Sequence, residues 1–268
     1  MIDRGKHNVL GIKIAAVDYA AAAERIMAAA QARQPLTVSA LAVHGVMTGA
    51  MDPAHRFRLN DFDLLVPDGQ PVRWALHWLH GVRLAERVYG PALMLEVCRQ
   101  AAEDGVPIFL FGSSAELLES LQNRLAERFK NLRVAGARPS QFRRVTLAER
   151  DSLVREILSS GARITFVGLG CPRQEVWAFE HRLALSMPIV AVGAAFNFHA
   201  GQLSQAPRAL QDRGLEWLYR LLQEPQRLWK RYLVLNPLYL SLLGLQWARL
   251  RSFDPENAIP PTQEMLFG

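Results

Sequence analysis

Short apolar runs alternate with segments of helical period along most of the chain. Runs at residues 9–14, 36–41, 62–66, 107–111, 132–135, 164–167 and 189–192 are too short for helices, and turn residues flank them, so they predict strands. The alanine-rich stretch 17–32 predicts a helix, and helical periodicity fills most of the remaining gaps. Such alternation predicts an α/β fold: a mainly parallel sheet in Rossmann-like halves, covered by helices on both faces. The pattern changes near Gln205. Beyond it Trp, Leu and Arg recur at helical spacing with no further strand candidate, so residues 1–205 are expected to form the core and 206–268 a helical C-terminal appendage. Within that appendage, residues 232–250 carry a single charge, Arg249, over nearly the length of a membrane-spanning helix. Asn236, Pro237, Gly244 and Gln246 interrupt the run, and Tyr232, Tyr239 and Trp247 favour a lipid-water boundary, so the segment is expected to lie on a surface rather than cross it.

Composition adds an electrostatic constraint. The 268 residues are half hydrophobic, enough for a sizeable core, and 31 Lys and Arg against 25 Asp and Glu leave a net charge of +6. That balance favours an anionic partner. Cys98 and Cys171 have neither metal-ligand spacing nor a disulfide framework, which suggests a reducing compartment. The first residues include Asp3, Arg4, Lys6 and His7 in place of a signal peptide's apolar core, so the cytoplasm is the expected location.

In open parallel sheets, ligands bind at loops leaving the carboxyl ends of strands. Asp68, between Pro67 and Gly69, follows an apolar run. A carboxylate there suits a general base, but also a turn aspartate or the N-cap of a helix over 72–79; spacing leaves both readings open. Gly112, Ser113 and Ser114 join a strand to a helix, where exposed amides attract anions and either serine is placed to cap. The run Gly168-Leu169-Gly170-Cys171-Pro172-Arg173-Gln174-Glu175 is more informative. Its glycines allow close backbone approach, Pro172 suits a helix start, Arg173 suits a phosphate and Gln174 offers donor and acceptor. It lacks the lysine of a P-loop and the spacing of a dinucleotide fingerprint, and Cys171 is expected to be a small turn filler.

In the tail, Arg220 precedes Arg227, Lys230 and Arg231, with Pro225 between. The last three fall at i, i+3 and i+4, on one helical face, where they match a diphosphate or anionic headgroups. His44 and His199 have no evident partner in sequence. Asp61-Phe62-Asp63 precedes its strand rather than following it, so no metal-bound diphosphate and no cofactor are expected.

The stretches Val66-Pro67-Asp68-Gly69, Glu86-Arg87-Val88-Tyr89-Gly90, Gly170-Cys171-Pro172-Arg173-Gln174-Glu175, and Gly214-Leu215-Glu216-Trp217 through Glu224-Pro225-Gln226-Arg227-Leu228-Trp229-Lys230-Arg231-Tyr232 resemble the WecG/TagA/CpsF glycosyltransferases, in that family's order. The resemblance runs from about residue 9 to 236. It implies an inverting, metal-independent transfer of a hexose or N-acetylhexosamine from a UDP-sugar to an undecaprenyl-diphosphate-linked saccharide. The setting would be exopolysaccharide, capsule or wall polymer synthesis, on a peripheral enzyme at the cytoplasmic face of the inner membrane. Asp68 would be the base, Arg87 and Gln174 polar contacts, and Arg220, Arg227, Lys230 and Arg231 the cations over the diphosphate. Two departures bear on the sugar. Ala40-Leu41-Ala42 replaces a common Thr-x-Asn, with Ser39 just before as the substitute hydroxyl, and Asn197 stands between Phe196 and Phe198 where aspartate is frequent. A homo-oligomer is left open. The alternative is a non-catalytic nucleotide-sugar-binding or scaffold protein at the membrane surface. Nucleic acid is not an expected partner, since the cations gather with tryptophans beside an apolar segment and no nucleic-acid motif is present.

Overall fold

In the computed structural model, which describes residues 1–207, 209–210 and 213–268, the chain opens with a hairpin. Strands β1 (Asp3–Val9) and β2 (Ile12–Val17) pair antiparallel, apart from the main sheet. The single strand expected at 9–14 is therefore divided. Leu10 and Gly11 both take positive φ, 53° and 85°, as a tight hairpin turn requires. An unbroken apolar run conceals that turn because Leu10 is buried and only Gly11 signals the reversal.

Six parallel strands form the main sheet, in the order β4 (Leu64–Pro67), β3 (Leu36–Leu41), β8 (Pro188–Ala191), β7 (Ile164–Val167), β5 (Ile108–Phe111) and β6 (Val134–Arg138). Every residue of β4, β5, β7 and β8 is buried, which is why these strands read as continuous apolar runs rather than alternating ones. One face is covered by α1 (Tyr19–Ala32), α5 (Gly90–Glu103), α6 (Ala115–Arg128) and α9 (Ala195–His199), with Ile26, Val97, Leu121 and Phe196 in its core. The other carries α2 (Val43–Met51), α3 (Pro53–Asp61), α4 (Gln70–His80), α7 (Leu147–Ser159) and α8 (Arg173–His181), around Met47, Leu76, Ile157 and Trp177. Helix starts follow local chemistry: Asp18 caps α1 by accepting from the Ala21 amide at 2.9 Å, and Thr146 and Glu149 form a capping box on α7. The edge strand β6 lies two residues later than its apolar pattern suggests. Its Gly136 sits beneath the Phe109 ring, where a Cβ would come within 2.5 Å, so packing rather than hydrophobicity selects the register.

After Gln205 the described residues form helices α10 (Glu216–Gln223), α11 (Pro225–Lys230), a π-helical segment (Arg231–Leu235) and α12 (Asn236–Trp247). Pro225 occupies a first turn, where a missing N–H costs nothing. Asn236 and Pro237 follow directly on the π-helical segment with Leu235 and Asn236 in right-handed helical geometry, so the helix continues through them. Among the described residues, no helix is long and apolar enough to cross a membrane. Nor does the apolar run lie wholly free on a surface, because α12 packs against α2 and α4. Tyr239, expected at a lipid-water boundary, is fully buried, with its hydroxyl donating to the Pro71 carbonyl at 3.2 Å. Gln246 accepts from the Leu10 amide at 2.9 Å and donates to the Asn8 carbonyl at 3.2 Å, clasping the hairpin turn. Leu240, Leu245 and Trp247 of α12 are exposed.

Truncating Tyr239 leaves a cavity between α12 and the core. Tyr239→Ala should cost on the order of 3 kcal/mol in urea unfolding; a loss of only a few tenths would show that α12 is not anchored as described.

Candidate functional site

The loops after β3, β4, β5, β7 and β8 converge on a cleft of about 1160 Å³, closed on its far side by α11 and the π-helical segment. Its floor depends on close contact between loops. Gly112, with φ of 111°, lies so near Gly168 that a Cβ on it would meet the Gly168 carbonyl carbon at 2.8 Å; a Cβ on Gly168 would meet the Phe196 ring at 2.4 Å. Gly168 lines the cleft, whereas Gly112, expected to touch ligand, packs behind it. Its glycine identity is needed for packing between loops. Ser113 and Ser114 both line the cleft, and Ser114 is the one that caps α6, accepting from the Leu117 amide at 3.3 Å.

The loop after β7 is held from within. Gly170 takes φ of 79°, and its amide donates to Gln174 Oε1 at 3.2 Å. Gln174 Nε2 donates to Glu175 Oε1 at 2.8 Å, and Ser39 Oγ donates to the same oxygen at 2.8 Å. Glu175 is wholly buried, and burial pushes its carboxyl above the usual range. Ser39 is also buried and lies outside the lining, so the hydroxyl expected to meet ligand instead anchors Glu175 behind the wall. Pro172, joined to Cys171 by a cis peptide, is the residue before α8 rather than its first. Burial lifts the Cys171 thiol well above its ordinary value, in keeping with a turn filler. Arg173 lines the cleft with its guanidinium 5.6 Å from the Phe267 ring centroid.

Asp68 sits where β4 ends. Helix α4 begins after Gly69 with no side-chain cap, so the N-cap reading of Asp68 does not hold. Its carboxylate receives the Gly90 amide, and its Oδ1 is buried with no hydrogen-bond partner. Burial raises its pKa to about 6; Arg87 and Arg220 pull it down and Glu216 pushes it up. Arg87 pairs with Glu216 and lies 4.3 Å from the Tyr89 ring centroid. It lines a smaller pocket of about 110 Å³ that shares Asp68 with the main cleft.

The tail cations all reach the main cleft. Arg220 lies 5.6 Å from the Phe198 ring centroid, Lys230 5.5 Å from that of Trp229, and Arg227 bonds Glu224 at 2.6 Å. Arg231 begins the π-helical segment, and burial lowers its pKa from the usual value. Asn197 lines the cleft between the Phe196 and Phe198 positions. His44 does too, with Nδ1 buried and unpartnered and its pKa lowered to about 4 by burial, then by Arg231, which makes it a neutral imidazole. His199 is structural, its Nε2 2.9 Å from the Pro91 carbonyl. Asp63 accepts from the Thr37 amide and hydroxyl, and Asp61 pairs with Arg182 at 2.5 Å, so both are engaged elsewhere.

Residue-level reading missed Tyr89, Glu175 and Glu216. Each stands inside a quoted motif, but its role depends on contacts between segments far apart in sequence: Glu175 with Ser39, Glu216 with Arg87.

The raised pKa of Asp68 has a stability consequence. The native state holds the proton up to about pH 6 while the unfolded chain loses it near 3.8, so ionisation penalises the fold above about pH 6 and not below both values. Asp68→Asn should therefore gain on the order of 1–2 kcal/mol in urea unfolding at pH 8, shrinking as the pH falls toward 4. An equal gain at both pH values would contradict this account.

The geometry joins a desolvated carboxylate to a cation-rich cleft at strand ends. The family model described as glycosyl transferase WecG/TagA/CpsF matches residues 7–253, nearly the whole chain, and the protein belongs to that glycosyltransferase family.

Proposed function

We propose that the protein is an inverting hexosyl- or N-acetylhexosaminyltransferase. It moves the sugar of a UDP-sugar onto an undecaprenyl-diphosphate-linked saccharide during exopolysaccharide, capsule or wall polymer synthesis. The observation that carries this reading is Asp68, with its raised pKa and unpartnered Oδ1, in the same cleft as Arg220, Arg227, Lys230 and Arg231. As the acceptor hydroxyl attacks the anomeric carbon, Asp68 takes its proton and the bond to the diphosphate oxygen breaks, releasing UDP. The cations offset the negative charge growing on the departing diphosphate. A single displacement inverts the anomeric centre. It suits a site in which Glu216 is paired with Arg87 and Glu175 is tied through one oxygen to Ser39 and Gln174.

Residues 206–268 act in this reading as an appendage that completes the site and rests on the inner face of the membrane. Support comes from an exposed apolar set, Leu222, Leu233, Leu240 and Trp247, with Trp78 of α4, on the same chain as the tail cations. In this reading the donor contacts are Gln174, Arg173 and Ser113, with close backbone approach at Gly168 and Gly170. Asn197, in the cleft lining, stands in this reading beside the sugar and removes the negative charge that a carboxylate would place there.

Incubation with a panel of UDP-sugars and short-chain lipid-diphosphate acceptors, in EDTA, should yield UDP and a glycosylated product. Asp68→Asn should lower kcat by about 10²–10⁴-fold with UDP affinity nearly unchanged. Unchanged turnover would remove Asp68 as the base, and a protein inert to every donor would favour the scaffold reading. Separately, Leu222→Glu combined with Leu240→Glu should reduce cosedimentation with anionic phospholipid vesicles several-fold while leaving UDP binding intact. Equal cosedimentation would remove these residues from the membrane face.

A further inference from the structure

The first residue of α10, Glu216, is nearly buried, as is its partner Arg87; their side chains are 12% and 13% exposed. A carboxylate taken out of water needs partners, and Glu216 has two: Arg87 Nη2 and the Tyr89 hydroxyl both donate to it. Both partners come from the short connection between α4 and α5. In that connection the Tyr89 amide donates to the Tyr19 hydroxyl at 2.8 Å, and the next amide, that of Gly90, donates to Asp68. A continuous path of direct contacts thus runs from the C-terminal helices to the carboxylate at the end of β4.

We infer that Glu216 is a positioning residue that holds Arg87 and Tyr89 of the α4–α5 connection beside Asp68, so that docking of α10 and readiness of the base are one event. The inference rests on the reading of Asp68 as the base. Its physical core is competition for one cation. Arg87 is close enough to Asp68 to act on it, and a guanidinium closing fully on that carboxylate would neutralise it as a proton acceptor. Glu216 takes a share of Arg87 and adds a like charge beside Asp68. Both effects favour a carboxylate that accepts a proton near neutrality.

The other groups facing Asp68 come from every neighbouring element. They are Tyr19 of α1, His44 of α2, Tyr89 beside Arg87, Arg220 of α10 and Arg231 of the π-helical segment. Arg220 and Arg231 are cations and act against Glu216. Among the described residues that act on Asp68 most strongly, removing the Glu216 charge leaves Arg87, Arg220 and the Gly90 amide, all of which lower its proton affinity, against burial, which raises it.

The first arm of the test needs no substrate. In the full chain labelled with ¹³C-carboxyl aspartate, the Asp68 resonance, identified by its loss in Asp68→Asn, is titrated by NMR in the parent and in Glu216→Gln, which keeps an acceptor for Arg87 but not the charge. The parent midpoint should lie near pH 6. That of Glu216→Gln should fall by about one pH unit, and the acidic limb of kcat/KM should move the same way. Glu216→Asp, which draws the carboxylate back from Arg87, should move the midpoint in the same direction by less, and it takes the place of Glu216→Gln if that variant does not fold. A folded variant whose Asp68 midpoint matches the parent overturns the inference. A midpoint that moves while the pH–rate profile stays flat supports the tie between Glu216 and Asp68 and instead overturns Asp68 as the base.

Discussion

A parallel sheet whose strands are buried on both faces has only its two ends left for polar chemistry, and the rest of this molecule follows from that constraint. Six strands deliver their carboxyl ends to one edge, and the loops leaving them must share a narrow strip. They fit because glycines let backbone meet backbone: Gly112 against Gly168, and Gly168 against the Phe196 ring. The cleft floor is therefore a packed surface continuous with the core. Side chains that rise from it, such as Gln174 and Asp68, are placed by backbone that has little room to move.

Around the cleft and the small pocket beside it, three carboxylates meet three different environments. Glu175 is buried among hydrogen-bond donors and serves as scaffolding. Glu216 is paired with a guanidinium. Asp68 shares burial and an unpartnered oxygen with Glu175, and differs in having a single amide donor and the charges of Arg87, Glu216 and Arg220 around it. Difference in surroundings, rather than in residue type, separates a structural carboxyl from a reactive one. The cations of the tail line the same cleft as Asp68 and Glu175, which sets two carboxyl groups in an otherwise basic enclosure.

Much of this was legible in sequence where the signal was local. The strands at 36–41 and 164–167 coincide with their apolar runs, and α1 with its alanine-rich stretch, because fully buried strands and a capped amphipathic helix announce themselves within a few residues. The tail cations and the loop after β7 were legible for the same reason. What escaped depended on distant partners. Leu10 conceals a turn because it is buried like its neighbours, and β6 is displaced because Phe109 covers Gly136. Tyr239 looked like a boundary residue until α4 supplied the Pro71 carbonyl for its hydroxyl. Ser39 looked available to a ligand, yet Glu175, far along the chain, had already engaged it. A polar residue's role is a statement about its partner, and periodicity carries no information on that.

The clasp between Gln246 and the hairpin turn bears on how the tail works. With α12 fastened to the core at Leu10, Asn8 and Pro71, the segment bearing Arg220 to Arg231 is a tethered span. A tether turns the meeting of those cations with a bound anion into an intramolecular event, governed by an effective local concentration that dilution of the protein does not change. Charge supplied in this way needs no second molecule to arrive.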